Sequence, residues 1–445
     1  MTQTDPSGQE GRRSGWTQAQ AEERLRSVEL FGMRFGLDRM RRMMTVLGSP
    51  QSRFDTIHVL GTNGKSSTTR MIAAILERGG LRTASYTSPH LVSYRERIEI
   101  GEREIGGDAF AQAVERAVWA AERVNRTLGE DDHVTQFELL TAAAFWEMAE
   151  REVQVAVVEA GLGGRYDATS VVESQVTVLT NVGLEHTRWL GPTIRDIAEE
   201  KVAALRPGAT LVLGADLAAE AREVAERVAR ERGASVETAG DPFAGRLLAR
   251  GAFQRRNFAL ARAAAQVYAS SSRFGSDGDL EPAAGAAAES TAVPGRLQVV
   301  GGDPPTVLDG AHNPHAVTAL LESLGELVEG RPLALVLGVL EDKDAASMLA
   351  GLLSVSDRAW FTSPPSARAL SPAALQSLAR QLGFDAAVTE PRPARALQQA
   401  RRWARAEGGV VLVTGSVYLV GALMDAIDGC GSVSDPLPGV RDEMR

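Results

Sequence analysis

Residues 56–80, TIHVLGTNGKSSTTRMIAAILERGG, decide the fold of this chain. The segment opens with a strand-like run, turns through a glycine-bounded loop at 61–64, and continues in a helical pattern that Gly79 and Gly80 end. A glycine turn between a strand and a helix directs successive backbone N–H groups at one place, and the helix start adds partial positive charge. The segment therefore predicts the first unit of a parallel α/β domain with an anion-binding loop.

The same loop carries side chains that are typical of a nucleotide-binding site. A lysine at the position of Lys65 can reach the β- and γ-phosphates as a point charge, and the hydroxyls of Ser66 and Ser67 can serve phosphate or Mg²⁺. The general P-loop spacing has a glycine where Val59 stands, so this loop is a shortened variant. We expect it to bind the phosphates of a nucleotide, and a chance match to the pattern is the alternative.

Length, charge and cysteine content exclude several classes of protein. The chain has 445 residues, which at roughly 150 residues per domain indicates two or three domains. Its net charge of −9 disfavours a dedicated nucleic-acid binder, and its single cysteine, Cys430, excludes an internal disulfide framework and a cysteine-based zinc cage. No window approaches the ~20 apolar residues of a membrane span, and the polar start lacks the apolar core of a signal peptide. We expect a cytoplasmic protein that binds neither nucleic acid nor membrane.

Lysine is rare in this chain. Of the 48 basic residues only Lys65, Lys201 and Lys343 are lysines, and the other 45 are arginines. Because arginine serves wherever a positive charge alone suffices, a remaining lysine is a candidate for chemistry that needs a compact ammonium or an amine able to lose its proton. Chance retention is the alternative, but all three lysines lie in motif-like strings.

Further apolar runs predict more strands along the chain. The runs at 153–160 and 175–182 each break into a glycine-containing loop, and 209–215 predicts another strand. Residues 270–295 are rich in Ser, Gly, Ala and Pro, and this composition predicts a linker or a long surface loop. After residue 295 the predicted strands, loops and helices alternate again.

This organisation predicts an α/β protein of two domains that divide near residue 298. We expect a disordered tail at 1–15 and a helix over 17–47. An N-terminal P-loop-type ATP-binding domain with a parallel sheet should cover 16–297, and a smaller Rossmann-like α/β domain should cover 298–445. In such sheets the functional loops follow the carboxyl ends of the strands.

Two side chains that can bind a metal follow predicted strands. Glu159 ends one strand before a glycine-rich loop, and His186 follows the next strand in the string GLEH. The carboxyl ends of parallel strands meet at one edge of a sheet, where a carboxylate beside a P-loop is well placed to hold Mg²⁺. Taken alone, each residue is explained as well by a solvated glutamate or a structural histidine.

Other strings place polar groups at turns and on a helix. TSPH at 87–90 is a turn fixed by proline, for which a structural role is the alternative. Asp309 and His312 lie in the exposed loop DGAHNP, and Lys343 follows the strand-like run LALVLGVL. Lys201 lies in the helix-like string DIAEEKVAAL, where a solvated lysine paired with a glutamate is the alternative.

Together these strings resemble the folylpolyglutamate synthetase/dihydrofolate synthetase family of the Mur ligase superfamily, whose members are ATP-dependent amide-bond ligases. The resemblance runs from about Gly36 to Leu423. It rests on the order and spacing of GLDRM, IHVLGTNGKSS, TSPHL with ERI, EAGLGGRYDATS, TNVGLEH, IAEEK, RLQ, DGAHNP, DKD and TGSVYLVG. The DGAHNP string is more similar to the folate branch than to the cell-wall branches.

The resemblance implies separate groups for nucleotide, metal, substrate and catalysis. The residues that would hold ATP are Gly61, Thr62, Asn63, Gly64, Lys65, Ser66, Asn257, Arg296 and Asp309. Those that would ligate Mg²⁺ are Ser88, Glu159 and His186, and those that would face the pterin are Phe137, Arg165 and Asp167. Those that would take part in catalysis are Lys65, Lys201, His312 and Lys343. Of these, Lys201 would be the lysine that the superfamily carboxylates with CO₂, and the last two would line the cleft near the transferred phosphate or glutamate.

The chain departs from the family pattern at several positions. Ser66 stands where a glycine usually follows the P-loop lysine, Glu185 where an aspartate precedes the histidine of GLDH, and Ser170 where an asparagine ends GGRxDATN. VAALRPG follows Lys201 in place of the common Gly-Ile-Phe string. None of these changes removes a chemical group that the implied mechanism requires.

The implied reaction is the ligation of L-glutamate to dihydropteroate, to (poly)glutamylated tetrahydrofolate, or to both, through an acyl phosphate with release of ADP and phosphate. The partners are then these small molecules, and we expect a monomer. A second hypothesis is another Mur-superfamily ligase that acts on a cell-wall nucleotide or a storage polypeptide. A third, from a different class, is a P-loop regulatory protein that binds nucleotide as a switch and makes no product.

Overall fold

The computed structural model of the chain describes residues 15–28, 36–272 and 279–428. The tail predicted to be disordered, apart from its last residue, and Cys430 lie outside these residues. The described helices and strands are α1 (Gln18–Arg26), α2 (Asp38–Val46), β1 (Asp55–Leu60), α3 (Lys65–Arg78), β2 (Thr83–Tyr86), β3 (Ile98–Ile100), β4 (Arg103–Glu104), α4 (Gly107–Asn125), α5 (Gln136–Glu150), β5 (Val155–Glu159), β6 (Ser174–Leu179), α6 (Thr187–Leu190), α7 (Ile194–Val202), β7 (Thr210–Leu213), α8 (Ala219–Glu231), β8 (Ser235–Thr238), α9 (Ala252–Ser271), α10 (Glu281–Ser290), β9 (Gln298–Val300), β10 (Thr306–Leu308), α11 (Pro314–Val328), β11 (Leu333–Leu337), α12 (Ala345–Leu353), β12 (Arg358–Phe361), α13 (Pro372–Gln381), β13 (Ala387–Thr389), α14 (Pro393–Glu407), β14 (Val410–Thr414) and α15 (Val417–Asp428). Short 3-10 helices lie at Pro50–Ser52, Tyr94–Arg97 and Ala168–Val171.

The first sheet has the predicted strand, loop and helix unit at its centre. Its strand order is β4-β3-β2-β5-β1-β6-β7-β8. The pairs β2–β3 and β3–β4, at one edge, are antiparallel, and the other neighbours are parallel. Within β1, Ile57 pairs with Val157 of β5 on one side and with Val176 of β6 on the other. Central parallel strands are covered on both faces, which explains why β1 and β5 are buried along their whole length. The predicted parallel α/β fold of the N-terminal part is therefore confirmed.

Helices cover both faces of this sheet. Val155 and Val157 of β5 face a core shared with α3, α9 and α10, in which Phe258 is fully buried. The alternate residues Ala156 and Val158 face the opposite core, which α1, α2, α4 and α5 complete. This alternation follows from the period of two in a strand. Both faces of the sheet are thus covered by helices, and the site can form only at the ends of the strands.

The composition of residues 270–295 predicts a linker, and the structure corrects this for part of the segment. Residues 281–290 form α10, which packs on α3 through the buried side chains of Ala283, Ala284 and Ala287. Alanine is the best helix former, and its small side chain permits close helix packing, so a segment without large apolar residues still contributes to the core. Residues 273–278, also in the predicted linker, lie outside the described residues.

The single helix predicted over 17–47 is described as two helices. The first ends at Arg26, where the backbone N–H of Ser27 bonds back to the last turn, and the second begins at Asp38. The residues between them at 29–35 are not among those described. The predicted amphipathic pattern holds within each helix, because Leu25, Met40 and Met44 all belong to the same core.

A second, smaller sheet begins at Gln298. Its order is β13-β12-β11-β14-β10-β9, with all neighbours parallel except β9, which pairs antiparallel with β10. Helices cover both of its faces, so this part is α/β as predicted. Within the part of the chain that the structure describes, no helix has the length and apolar character that crossing a membrane requires.

Candidate active site

A cavity of about 960 Å³ is lined by residues of both sheets. It lies at the carboxyl ends of β1, β5 and β6 and at the loop after β10, which is where open parallel sheets bind ligands. Every residue that the sequence analysis assigns to the site lines this cavity except Arg165. The side chain of Arg165 is about half exposed, and its Nε donates to Glu200 Oε2 at 3.1 Å. Residues as far apart in the sequence as Gly61 and Lys343 therefore meet in one place.

Two glycines give the loop between β1 and α3 its shape. Gly61 has φ 147°, and a Cβ there would lie 1.8 Å from Thr180 Oγ1. Gly64 has φ 80°, and a Cβ there would lie 2.5 Å from Asn257 Oδ1. A side chain at either position would combine backbone strain with a collision. The glycine spacing of the motif is thus required by the neighbours of the loop as well as by its turn.

The residues that follow β6 hold this loop from the next strand. Thr180 Oγ1 donates to the carbonyl of Asn63 at 2.6 Å, and Asn181 Oδ1 accepts from the N–H of Asn63 at 2.9 Å. Lys65 begins α3, and its Nζ donates to the carbonyl of Thr62 at 3.0 Å. Thr180 and Asn181 are not among the predicted site residues, although their position at the end of a strand beside β1 was a signal for such a role.

Glu159 places a buried carboxylate beside the loop. Its Oε2 accepts from the N–H of Ser88 at 3.0 Å, and the side chain is almost fully buried. Burial raises the pKa of Glu159, whereas the charge of Lys65 and hydrogen bonds from Ser88 and Ser66 oppose that rise. Burial lowers the pKa of His186 to about 4, so its imidazole is neutral near pH 7 and can donate a lone pair to a metal.

These donors fit a magnesium ion that is shared with phosphates. Among the residues that the structure describes, no three His, Cys, Asp or Glu side chains cluster closely enough to hold a metal by themselves. Proteins usually hold Mg²⁺ through one or two carboxylates together with substrate phosphates and water. One carboxylate, Glu159, lines the cavity together with Ser88 and His186, and this set matches that mode better than it matches an all-protein cage.

Lys201 is buried on α7, next to the loop at 61–64, which is the predicted phosphate loop. Its Nζ donates to the carbonyl of Gly61 at 2.7 Å. Burial, and after it the charge of Lys65, lower the pKa of Lys201 to about 7. The glycine-rich loop after β5 packs on the same helix, since a Cβ at Gly164 would lie 2.1 Å from the Lys201 carbonyl oxygen. With only 4% of its surface exposed, Lys201 is not the solvated lysine that was the alternative.

Asp309 brings a second buried carboxylate from the C-terminal sheet. Its two oxygens accept from the N–H groups of Leu297 and Ala311, both at 2.8 Å. Burial raises the pKa of Asp309, and the charge of Arg296 opposes the rise. Arg296 lies against the same loop, because a Cβ at Gly310 would lie 2.1 Å from its Nη1. The two predicted nucleotide residues of this region therefore sit together where the two sheets join.

Glu185 connects the two domains across the cavity. Its Oε1 accepts from Lys343 Nζ at 3.0 Å and lies 3.2 Å from His312 Nε2. Although burial raises the pKa of Glu185, the hydrogen bond from His312 and the charges of His312 and Lys343 hold it well below its ordinary value. In the sequence, Glu185 stands out only as a departure from the family pattern, so it is not among the predicted site residues.

A second polar contact joins the P-loop itself to the C-terminal domain. Asn63 and Asn313 exchange side-chain amide hydrogen bonds at 3.2 and 3.0 Å, and Asn63 Nδ2 lies 3.0 Å from His315 Nδ1. Asn313 Oδ1 also accepts from the N–H of Ala316 and so caps α11. The only signal for this contact in the sequence was the presence of Asn313 in the DGAHNP string.

The predicted substrate residues Phe137 and Asp167 line the cavity near α5. Asp167 accepts from the N–H and the hydroxyl of Thr169, at 3.0 and 2.5 Å, and from the N–H of Leu162 at 2.7 Å. It thereby caps the 3-10 helix that follows and fixes the glycine-rich loop. The ring of Phe137 packs on that loop, where a Cβ at Gly161 would lie 2.5 Å from the ring.

Comparison with known proteins gives matches over most of the chain. Residues 59–241 match the Mur ligase middle domain, and residues 295–417 match the Mur ligase glutamate ligase domain. The folylpolyglutamate synthase of Lacticaseibacillus casei is 34% identical over 420 residues, which cover 87% of this chain and 94% of that protein.

Solved structures share this architecture. The Mycobacterium tuberculosis folylpolyglutamate synthase complexed with ADP superposes with a TM-score of 0.85 at 30% identity, over 92% of this chain and 98% of that chain. The bifunctional folylpolyglutamate synthase/dihydrofolate synthase of Yersinia pestis, complexed with AMPPNP and a manganese ion, gives a TM-score of 0.79 at 27% identity, over 94% and 100%. The likeness thus extends through both sheets.

Proposed function

The chain belongs to the folylpolyglutamate synthase/dihydrofolate synthase family of Mur ligases, and we propose that it joins L-glutamate to dihydropteroate, to (poly)glutamylated tetrahydrofolate, or to both. It is an ATP-dependent glutamate ligase. The observation that supports this most is the single cavity in which the phosphate loop and Lys201 face Asp309, His312 and Lys343 of the other domain. A ligase needs such a site because carboxylate, nucleotide and amine must meet away from water.

In the first step, a carboxylate oxygen of the acceptor attacks the γ-phosphorus of ATP, the bond to the β-phosphate oxygen breaks, and ADP leaves. Phosphoryl transfer depends mostly on positioning and charge neutralisation, so no covalent nucleophile is required. We assign the neutralising charge to Lys65 and to the N–H groups of the loop at 61–64. The product is an acyl phosphate that must be kept from water.

In the second step, the amine of glutamate attacks the acyl carbon, loses a proton, and phosphate leaves as the amide forms. We propose that His312 and Lys343 face the transferred phosphate or the incoming glutamate. Their contacts to Glu185 hold both side chains at the cavity. Closure of the second domain over the first, with the division near residue 298, would exclude water from the acyl phosphate.

The reaction uses ATP with a divalent metal, as the manganese complex of the Yersinia pestis relative indicates. We propose that Ser88, Glu159 and His186 hold this ion together with the phosphates. When bound, it neutralises negative charge on the transferring phosphoryl group. Two observations support this assignment: Glu159 is buried, and its Oε2 accepts a hydrogen bond from the N–H of Ser88.

We also propose that Lys201 carries a carboxyl group. Its neutral Nζ would form a bond to the carbon of CO₂ and lose a proton, which converts the amine into a carbamate anion. An ammonium here would repel a metal held near Glu159, whereas a carbamate offers carboxylate-like oxygens to it. A pKa of about 7 for Lys201 leaves much of the amine unprotonated at neutral pH, and arginine offers no such form.

On the acceptor side, we propose that Phe137 and Asp167 face the pterin. The role that the resemblance implies for Arg165 would require its guanidinium to leave Glu200. We further propose that the protein acts as a cytoplasmic monomer, and sedimentation of the purified protein with and without ATP tests the oligomeric part of this proposal.

ATP turnover with dihydropteroate and, separately, with tetrahydrofolate tests the proposed function. We expect ADP release that requires both L-glutamate and at least one of these acceptors, with a product heavier by one glutamyl residue. Release with a UDP-linked peptide instead would favour a cell-wall ligase. ADP release that needs neither acceptor nor glutamate would favour a regulatory nucleotide-binding protein.

A further inference from the structure

The loop of residues 88–97 connects the proposed metal side of the site to the C-terminal domain. It begins at Ser88, whose N–H donates to Glu159 Oε2 at 3.0 Å. Three residues later, Leu91 packs against the C-terminal core that β10, β14 and α15 share, beside Val420. One short segment therefore touches both a candidate metal ligand and the core of the other domain.

The 88–97 loop is internally braced. The carboxylate of Glu96 accepts from the three consecutive N–H groups of residues 91–93, at 2.8, 2.7 and 2.5 Å. Arg97 Nε donates to His90 Nδ1 at 3.0 Å, and the ring of His90 lies 4.3 Å from that of Tyr94. Because these contacts link residues 90–97 to one another, we expect the loop to move as a unit. A displacement at residue 91 would then reach residue 88.

The backbone of the 88–97 loop packs against α15 at Gly421. A Cβ at Gly421 would lie 1.9 Å from the carbonyl oxygen of Leu91 and 2.6 Å from its carbonyl carbon. These are backbone atoms, so a side chain could fit only if the loop moved. The Leu91 side chain also lies close to Gly295, since a Cβ at Gly295 would lie 3.1 Å from both of the Leu91 methyl carbons.

We propose that the contact between Leu91 and Gly421 is the point at which domain contact positions Ser88 and Glu159. Gly421 is then a positioning residue: it would affect the binding of the metal and the nucleotide without contacting either of them. This inference rests on the proposed assignment of Ser88 and Glu159 to the metal. The same contact borders the other half of the site, because the carbonyl of Gly295 accepts from the N–H of Gly310 at 2.9 Å.

The substitution Gly421→Ala tests the contact, with Gly325→Ala as its matched control. Gly325 also lies in a helix of the C-terminal domain, α11, and a Cβ there would meet no atom within 4 Å. Alanine favours helices over glycine, so Gly325→Ala should not lower the thermal midpoint of unfolding. In Gly421→Ala the collision with the loop opposes that gain, so the midpoint is measured for both variants. We expect Gly421→Ala alone to lower kcat by about tenfold or more, since small misplacements of reacting groups have effects of that size.

Metal binding gives a readout that does not depend on turnover. The affinity of the protein for Mn²⁺ in the presence of ADP can be measured by electron paramagnetic resonance of the free ion. We expect Gly421→Ala to weaken Mn²⁺ binding by about tenfold and Gly325→Ala to leave it unchanged. Equal Mn²⁺ affinity and equal kcat in the two variants would overturn the proposal.

The variant Leu91→Ala completes a double-mutant cycle. If Gly421 acts by holding Leu91, the two substitutions disturb one contact, and their effects on Mn²⁺ affinity should combine to clearly less than their sum. Additive effects would contradict the proposal. If Gly421→Ala lowers the unfolding midpoint, Leu91→Ala alone decides the matter, and wild-type Mn²⁺ affinity in that variant would overturn it. Failure of the wild type to form ADP with glutamate and a pterin would reject the proposed function, while the Mn²⁺ affinities would still test the contact.

Discussion

The two sides of the cavity are held in different ways. On the N-terminal side, Lys65 and Lys201 each donate to a backbone carbonyl of the phosphate loop in their own domain, at 3.0 and 2.7 Å. On the C-terminal side, Lys343 donates to Glu185, a carboxylate of the other domain, at 3.0 Å. The two N-terminal lysines are therefore held by contacts within their own domain, whereas Lys343 is held by contact between domains. Substitutions on the two sides should fail in different ways.

The largest effect is expected at Lys65, which is held within its own domain. Its ammonium lies against the carbonyl of Thr62 at the start of α3, where a forked guanidinium would clash or displace the phosphates. We expect Lys65→Arg to lower ATP turnover by about 10³-fold, as loss of a charge-stabilising donor does, despite its conserved charge. ADP formation with acceptor and glutamate measures this. Turnover close to that of the wild type would reject the phosphate-loop assignment.

Lys201 comes next, because its role depends on the chemistry of its amine. We expect both Lys201→Arg and Lys201→Ala to lose activity by about 10²-fold or more. Added formate should restore part of the turnover of the alanine variant only. In that variant the removed lysine side chain leaves space in which formate can supply a carboxylate. Intact-protein mass spectrometry of native protein should show the added mass of one CO₂. A fully active arginine variant would contradict the carbamate.

The carbamate also predicts a dependence on pH. Burial lowers the pKa of Lys201 to about 7 from an ordinary lysine value, so its amine is mostly protonated below pH 7 and mostly neutral above it. Only the neutral amine adds to CO₂, so carbamate occupancy should rise as the pH increases through about 7. NMR with ¹³C-labelled bicarbonate measures occupancy between pH 6 and 8. No carbamate signal at pH 8 would rule out the modification.

The difference between the two sides also explains what the sequence could predict. Gly61, Gly64 and Lys65 belong to one continuous strand, turn and helix, so their spacing alone predicts a phosphate loop, and Glu159 follows from its position at the end of a strand. α10 was missed because its buried side chains are alanines, which give no amphipathic signal. For the phosphate loop and for α10 alike, the sequence signal comes from neighbouring residues; it is strong for the loop and weak for the helix.

Contacts between domains leave no local pattern. Glu185 and Lys343 are 158 residues apart, and Asn63 and Asn313 are 250 apart. Nothing in the neighbourhood of Glu185 in the sequence indicates that its carboxylate serves a lysine of the second domain. Gly421 is an extreme case, since its role depends on the carbonyl of a residue in another domain. Such roles follow only from the three-dimensional structure.

Glu185 tests the C-terminal side directly. Glu185→Gln removes the charge on the nearer of the two carboxylates beside Lys343 and on the carboxylate beside His312. We expect kcat to fall by about tenfold to a hundredfold, with a smaller change in the KM for ATP. Asp342→Asn is the matched control, because Asp342 lies 3.5 Å from the same lysine but is 39% exposed. We expect that variant to stay within about threefold of the wild type. Equal losses in both variants would mean that Glu185 has no special role.

The smallest effect is expected at Arg256, which also bridges the domains but does so near the surface. Its guanidinium contacts Asp216 at 3.1 Å and Glu322 of α11 at 3.2 Å. All three side chains are 30–52% exposed, and ion pairs in such settings contribute about 0–1 kcal/mol and weaken with salt. We therefore expect Arg256→Ala to change the KM for ATP by no more than about threefold, and a double-mutant cycle with Glu322→Ala to give a coupling below about 1 kcal/mol. A tenfold change that survives at high salt would show that exposed contacts also fix the second side, and the distinction between buried and exposed bridges would then fail.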